Sequence, residues 1–414
     1  MEYDISRERI ENTYNKIKNH IIKTPVIYAT KLSNITDNEV YLKLENLQRA
    51  GSFKLRGALS KMMALEPATI KKGVIAASAG NHSQGVSFAA NLLKVPETIV
   101  MPKTAPISKI NATKNYGVEV ILHGDFFDDA NQRALEVAKA EDKVFVHAFN
   151  DPDVIIGQGT IAIEILEELK DVDYILVPIG GGGGGVLSGI ASYVKAVNPN
   201  CKLIGVQSQN VPSYYEARKS NKSFSVHGKL SIADGIAVKQ TGDITFSILN
   251  KYVDDVILVS EAEIAETILF LFENCKIVAE GAGAVTTSAM LFNKLNVKNK
   301  KIVCVLSVWN IDVTTFLNIT NRALINQRRR VVLKIDAPLG KGHLTKITNV
   351  VDSYGVQIHK ISDSQLENSL EINREIIRLV VDINTKAELG DIVIDLEKLG
   401  YTVMEKEFID SIIK

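Results

Sequence analysis

Short apolar runs rich in β-branched residues recur between helical stretches along most of the chain, and this alternation restricts the fold more than any other feature. They occupy 41–44, 74–77, 98–101, 118–122, 174–177, 203–206 and 301–306. Runs of this kind spaced by helices argue for strands of parallel sheets covered by helices, an α/β fold. Near residue 330 the order changes. From Val331 the pattern is strand, a turn with Pro338, Gly340 and Gly342, helix, strand, a polar loop through Asn368, strand, helix, strand. That is a βαββαβ unit of the size of a small independent domain. The expected division is 1–325 and 330–414. Arg328, Arg329 and Arg330 stand at the junction and read as a solvated linker, with a nucleic-acid patch as the alternative.

A chain of 414 residues holds two or three domains and a large core. Lysine plus arginine balance aspartate plus glutamate, 48 against 48. No net field gathers nucleic acid or an acidic membrane, so small neutral or zwitterionic partners fit better. The first residues are charged and lack a secretory apolar run, and no stretch reaches membrane-spanning length without charges. Cys201, Cys275 and Cys304 are odd in number and widely spaced beside apolar runs, which suits buried reduced thiols in a cytoplasmic protein.

Chemistry is concentrated at the ends of the apolar runs, where a parallel sheet offers its binding crevice. After the run at 41–44, Gly51 and Ser52 break the strand, and Ser52 is placed to cap a helix whose apolar face is Phe53, Ala58, Leu59 and Met62. Lys54 stands at the start of that helix. The positive end of the helix dipole disfavours its protonated form and frees the amine to attack a carbonyl, although a solvated surface lysine is the ordinary reading. Ser78-Ala79-Gly80-Asn81-His82-Ser83-Gln84-Gly85 follows the run at 74–77 and opens a helix, where backbone N–H groups and the Ser78 hydroxyl can converge on a carboxylate or phosphate. His82 there is either an acid–base group or a packed histidine.

Gly180, Gly181, Gly182, Gly183, Gly184 and Gly185 stand between an apolar strand and an apolar helix. Close approach of backbone to a phosphate justifies their entropic cost. They match neither the P-loop nor the spaced dinucleotide pattern. Ser307-Val308-Trp309-Asn310 ends the last run, and a serine hydroxyl there can face an aromatic nitrogen or simply close a strand. Glu280-Gly281-Ala282-Gly283-Ala284 puts a carboxylate near a bound substrate or merely caps a helix.

In this order, the lysine at a helix start, the asparagine-bearing turn, the glycine run, Glu280 and the late serine resemble the fold-type II pyridoxal-phosphate enzymes. Within them the match is to the threonine dehydratase (threonine ammonia-lyase) family, over residues from about 5 to 325. The rest resembles an ACT domain. The resemblance implies a two-lobed catalytic fold like the tryptophan synthase β chain, with a smaller lobe at roughly 50–155. Lys54 would hold the cofactor covalently and, once freed, take the α-proton of the substrate. Phe53 would pack beside the pyridine ring, Asn81 would bond its phenolic oxygen, and the six glycines would cradle its phosphate. Ser307 would partner the ring nitrogen, while Ser78, Ala79, Gly80, Asn81, His82 and Glu280 would meet the substrate. The implied reaction takes L-threonine to 2-oxobutanoate and ammonia, with L-serine going to pyruvate. A homodimer or homotetramer and an amino-acid effector at the ACT domain follow from the same likeness.

Two comparisons narrow that activity. Serine racemases carry Ser-Ser-Gly-Asn in the asparagine turn, with the second serine as a base on the far face of the cofactor, and this chain has Ala79 there. Their acidic cation-binding pair aligns with Gln207 and Ser213, so no metal is expected. Two features depart from the family. It carries four glycines where this chain has six, and Ser-Gly-Gly-Asn where this chain has Ser307-Val308-Trp309-Asn310. Two alternatives stay open: a serine-preferring dehydratase or racemase, and, from the bulk of Val308 and Trp309 beside the cofactor, a catalytically weakened regulatory protein that binds amino acids.

Overall fold

The computed structural model describes residues 3–180, 184–364 and 372–404. They fall into two compact units, Met1–Phe316 and Leu317–Lys414. The division lies inside the Val313–Asn326 helix, before the 325–330 junction expected from the sequence.

The strands are β1 (Val26–Tyr28), β2 (Glu39–Leu44), β3 (Val74–Ala77), β4 (Glu97–Met101), β5 (Glu119–Leu122), β6 (Val144–Phe145), β7 (Tyr174–Pro178), β8 (Lys202–Ser208), β9 (Asp255–Val259), β10 (Lys301–Leu306), β11 (Arg330–Pro338), β12 (Gln357–Ser364), β13 (Arg374–Asp382) and β14 (Thr402–Val403). In the first unit they form a six-stranded sheet, β1-β2-β10-β7-β8-β9, and a four-stranded sheet, β5-β4-β3-β6. Every pairing is parallel except β1 with β2. β10 sits inside the larger sheet with Ile302, Val303, Cys304, Val305 and Leu306 all buried, as two covered faces require. Both sheets present the carboxyl ends of their parallel strands to the loops at 50–54, 78–81, 146–150, 184–185 and 307–310.

The Lys54–Ala64 helix is buried nearly all round, not along one stripe. Besides Ala58, Leu59 and Met62 it buries Arg56, whose guanidinium donates to Glu45 from Nε at 2.8 Å and to Glu164 from Nη1 at 2.8 Å. Lys43 Nζ of β2 also reaches Glu164, at 2.6 Å, and no side chain of the four is exposed. Burial and ionic partners act oppositely on Arg56 and on Glu45: the two carboxylates hold Arg56 well above its ordinary range, and Arg56 holds Glu45 below its own despite burial. Glu164 comes from the Pro152–Glu168 helix, which starts cleanly because Asp151 accepts from Asp153 N at 2.9 Å and Val154 N at 3.2 Å, with proline in the first turn.

In the second unit β11, β12, β13 and β14 form one antiparallel sheet in the order β12-β13-β11-β14. With the His343–Ser353 and Lys386–Lys398 helices this is the expected βαββαβ succession; the loop through Asn368 lies outside the described residues. Val331, Leu333, Ile335 and Ala337 alternate inward along β11, which leaves one face of the sheet for the helices. Arg330 is not linker, as the sequence suggested, but the first residue of β11, paired with Asp382 of β13 at 2.6 Å.

Removing the Arg56 charge leaves Glu45 and Glu164 buried around a single lysine. Arg56→Leu is expected to lower unfolding stability by about 3–5 kcal/mol, measured by urea titration. A loss under about 1 kcal/mol would show that the network is dispensable.

Candidate active site

Lys54 is the first residue of its helix, and its Nζ donates to the carbonyl of Ala148 at 2.8 Å. Burial pulls its pKa down from 10.5 to about 8. The physical cause is desolvation beside a neutral carbonyl, where the sequence suggested the helix dipole. The Ser52 cap is also corrected: Phe53 holds the N-cap position, and the Ser52 hydroxyl is buried without a hydrogen-bond partner. Phe53 is itself buried, with its ring centroid 5.2 Å from Lys54 Nζ.

Two neighbouring elements close on this lysine. The Asn81–Leu93 helix crosses the Lys54 helix at Gly85, where an added Cβ would stand 3.0 Å from Leu55 N and from the carbonyl carbon of Lys54. Behind it, the Ser78 hydroxyl accepts from Gly80 N at 3.1 Å and so shapes the turn. His82 does not face the site. Its Nε2 meets the carbonyl of Val146 at 2.9 Å, and burial with the nearby Lys54 charge depresses its pKa to about 3, so the packed alternative holds for its side chain. Ala79 and Gly80 are half-buried in the turn.

Asn81 instead joins a chain of side chains. It donates from Nδ2 to Glu280 Oε1 at 3.0 Å and accepts at Oδ1 from Asn310 Nδ2 at 2.5 Å. Glu280 stands at the N-cap of the Gly281–Leu291 helix, yet its carboxylate makes no capping bond there. Burial, then repulsion from Asp234, pushes its pKa up from 4.5 to about 8. Ser307 is buried at the end of β10 with its hydroxyl 3.4 Å from the Ala282 carbonyl, and its own carbonyl accepts from Phe53 N at 3.3 Å.

The glycine run is described at Gly180, Gly184 and Gly185; Gly181, Gly182 and Gly183 lie outside the described residues. Gly184 takes φ +46°, the left-handed conformation, and Gly185 opens the Gly185–Val197 helix. A Cβ on Gly185 would meet the Phe149 carbonyl at 2.9 Å, so this helix start lies against the residue that follows Ala148, the partner of Lys54. The first-turn N–H groups of a helix have no intrahelical partner, and the charge of its dipole there is positive. An amine freed by burial, a helix N-terminus for a phosphate, an amide donor and a neutral hydroxyl are the donor set that pyridoxal phosphate asks of a protein, so the residues present fit it.

Sequence reasoning missed the segment from Val146 to Asn150. His147 Nδ1 accepts from Phe149 N at 3.2 Å and Asn150 N at 2.9 Å, folding the segment into the loop that carries the Ala148 carbonyl. Burial lowers His147 to about 4, so like His82 it stays neutral beside the lysine. The two-residue strand β6 before it gave no readable periodicity. Gln207 and Ser213 are both buried and engaged in neutral bonds: Gln207 Oε1 accepts from Tyr215 N at 2.9 Å, and Ser213 donates to the Val238 carbonyl at 2.8 Å. Among the thiols, Cys201 and Cys304 are buried as expected, whereas Cys275 is only half-buried.

The Glu280 shift carries a stability consequence. In the unfolded chain the carboxyl ionises above about pH 4.5, while in the fold it keeps its proton to about 8, so between those values the fold holds the extra proton and loses stability as pH rises. Glu280→Gln removes that loss. Its melting temperature relative to the parent protein is expected to climb from about pH 5 to about pH 8 and level off above, by calorimetry. A difference independent of pH would contradict the burial of an ionisable carboxyl.

Comparison with known proteins agrees with the donor set. Residues 17–308 match the pyridoxal-phosphate dependent enzyme family. The L-threonine ammonia-lyase of Thermotoga maritima is 44% identical over 399 residues, covering 96% of this chain and 99% of that protein. Among solved structures, the processed form of threonine deaminase isoform 2 from Solanum lycopersicum superposes with TM-score 0.73 at 34% identity, over 77% of this chain and 93% of that one. Maize serine racemase superposes with TM-score 0.72 at 30% identity, over 78% and 99%. The chain belongs to the family of pyridoxal-phosphate-dependent enzymes.

Proposed function

We infer that the protein is a pyridoxal-phosphate-dependent threonine ammonia-lyase, converting L-threonine to 2-oxobutanoate and ammonia. The observation that carries the reading is the Lys54 amine, buried at a helix start and lowered to about 8 beside the turn that bears Asn81. When bound, pyridoxal phosphate supplies the electron sink that acidifies the α-hydrogen of an amino acid. Lys54 would anchor it and, as an amine free near neutral pH, would accept that proton. Ser78, Ala79, Gly80 and Asn81 receive the substrate carboxylate on the N–H groups of a helix start. His82 shares that turn through its backbone. The Gly185 helix start would hold the phosphate, and the neutral hydroxyl of Ser307 would partner the ring nitrogen without forcing a charge on it. A neutral partner there suits elimination of the β-hydroxyl.

L-Serine is the second substrate of this reading. Racemisation is disfavoured by Ala79, which offers no hydroxyl on the far face. Incubation of the cofactor-loaded protein with L-threonine should give 2-oxobutanoate, and Lys54→Ala should abolish both product and the visible cofactor band. No product from loaded protein would reject the activity, and D-serine formed faster than pyruvate from L-serine would favour the racemase.

The 330–414 region is an ACT-like regulatory domain on this reading, supported by its βαββαβ succession and its strand order. Oligomerisation to a dimer or tetramer and residence in the cytoplasm complete it; among the described residues no helix is long and apolar enough to cross a membrane. Calorimetric titration of the full chain with isoleucine and valine should show saturable heat that disappears when 330–414 is deleted. Heat that persists in the truncated chain would place the binding in the catalytic unit.

A further inference from the structure

We propose that Asn310 is a positioning residue that fixes which way the Asn81 carboxamide faces. The two ends of a carboxamide have the same shape, so only hydrogen-bond partners set its orientation. Here the setting begins at a backbone carbonyl, which can only accept. The Ala50 carbonyl lies 3.2 Å from Asn310, and this demands the amide nitrogen of Asn310 at that point. The same nitrogen stands 2.5 Å from Asn81 and requires the Asn81 oxygen there. Asn81 is thereby left with its nitrogen toward Glu280, at 3.0 Å from Oε1. Orientation is passed from a fixed backbone group through two side chains into the candidate site.

The backbone around Asn310 is built to keep this arrangement. Trp309 N donates to the Gly51 carbonyl at 3.2 Å, and residues 52 and 308 form an antiparallel bridge, so the segment bearing Asn310 is held against the segment bearing Ala50. Gly51 has φ +69°, and a Cβ there would fall 2.5 Å from Asn310 Oδ1 and into the Trp309 ring. Any side chain at 51 would force the Asn310 carboxamide or the Trp309 ring to shift. A carboxylate in place of the Asn310 amide reverses the chain: it only accepts, so Asn81 must turn its nitrogen toward residue 310 and its oxygen toward Glu280. Asn81 then offers no donor to an oxygen bound beside it.

The inference rests on the reading that the Asn81 donor meets the phenolic oxygen of the cofactor, and its test separates the two. The visible absorbance of the loaded protein is titrated against pH for Asn81→Ala, Asn310→Asp and Asn310→Ala, with melting temperature recorded to establish folding. Loss of a donor to an ionised oxygen displaces a titration midpoint. Asn310→Asp should displace it in the direction of Asn81→Ala, by about one pH unit. Asn310→Ala, which frees the amide without reversing it, should give a smaller displacement. An unchanged midpoint in both Asn310 variants while Asn81→Ala moves would overturn the role of Asn310 and leave that of Asn81 standing. Equal displacement in the two Asn310 variants, the mark of a simple packing contact, would also overturn it. A midpoint indifferent to Asn81→Ala would reject the Asn81 contact and this inference with it. Should Asn310→Asp fail to fold, Asn310→Ala decides alone, through movement or its absence.

Discussion

Everything at the candidate site hangs on the Arg56 guanidinium. Its two carboxylate partners come from a turn after β2 and from the far end of the Pro152–Glu168 helix, so one planar group ties together three parts of the first unit. Lys43 adds a second cation on Glu164, and four fully buried charges sum to zero. Taking such charges out of water costs several kcal/mol each, which good geometry and extra hydrogen bonds must offset. Both conditions are met: Thr24 donates to Glu45 at 2.5 Å, and Lys43 donates to the Thr24 carbonyl at 2.6 Å. A lysine at 56 could not serve, because an ammonium lacks the fork that holds two carboxylates at once. What the network secures is place. Arg56 is on the first turn of the helix that starts at Lys54.

Burial therefore pulls down two cations of one helix turn, and only their partners make the results opposite. Arg56 meets carboxylates and its charge is held more firmly, whereas Lys54 meets a carbonyl and its charge is loosened. The surroundings of Lys54 keep this contrast. His82 and His147 are both pushed down by burial, so neither offers a competing cation or a proton near neutral pH. A nucleophilic amine needs such a setting more than it needs a helix dipole.

The sequence made most of the fold legible because buried parallel strands are written as continuous apolar runs. The seven runs read from it correspond to strands, with β8 longer at both ends, β2 longer at its start, and β4, β5 and β7 differing by one residue at one end. β1, β6 and β9 escaped; β1 and β6 have three and two residues and no periodicity to detect, while β9 is a short five-residue strand at the edge of the larger sheet. Asn81, Ser307 and Glu280 were readable as candidates because each follows an apolar run or opens a glycine-bearing turn. Their contacts were not. Glu280 meets Asn81 across 199 positions and Arg56 meets Glu164 across 108, and local pattern says nothing about pairs so separated. The Ser52 cap failed for a related reason: residue 52 is paired with Val308 in an antiparallel bridge, and its hydroxyl makes no bond to the helix it precedes.

Val308 and Trp309 looked like obstruction because two small residues were expected beside the cofactor. Side chains must be weighed with what faces them. Gly283 lies against the Val308 carbonyl and Gly51 against the Trp309 ring, each so close that a Cβ could not be placed. Val308 is buried at 3% exposure, while Trp309 lies 48% exposed at the surface of its loop. The Trp309 ring is thus accommodated by the absent side chain of Gly51, while Gly283 admits the close approach of the Val308 backbone. Ser307 remains in register with Phe53, through a backbone bond that a displaced loop would break. The weakened-enzyme alternative rested on that bulk, and the retained bond between Phe53 and Ser307 weighs against it.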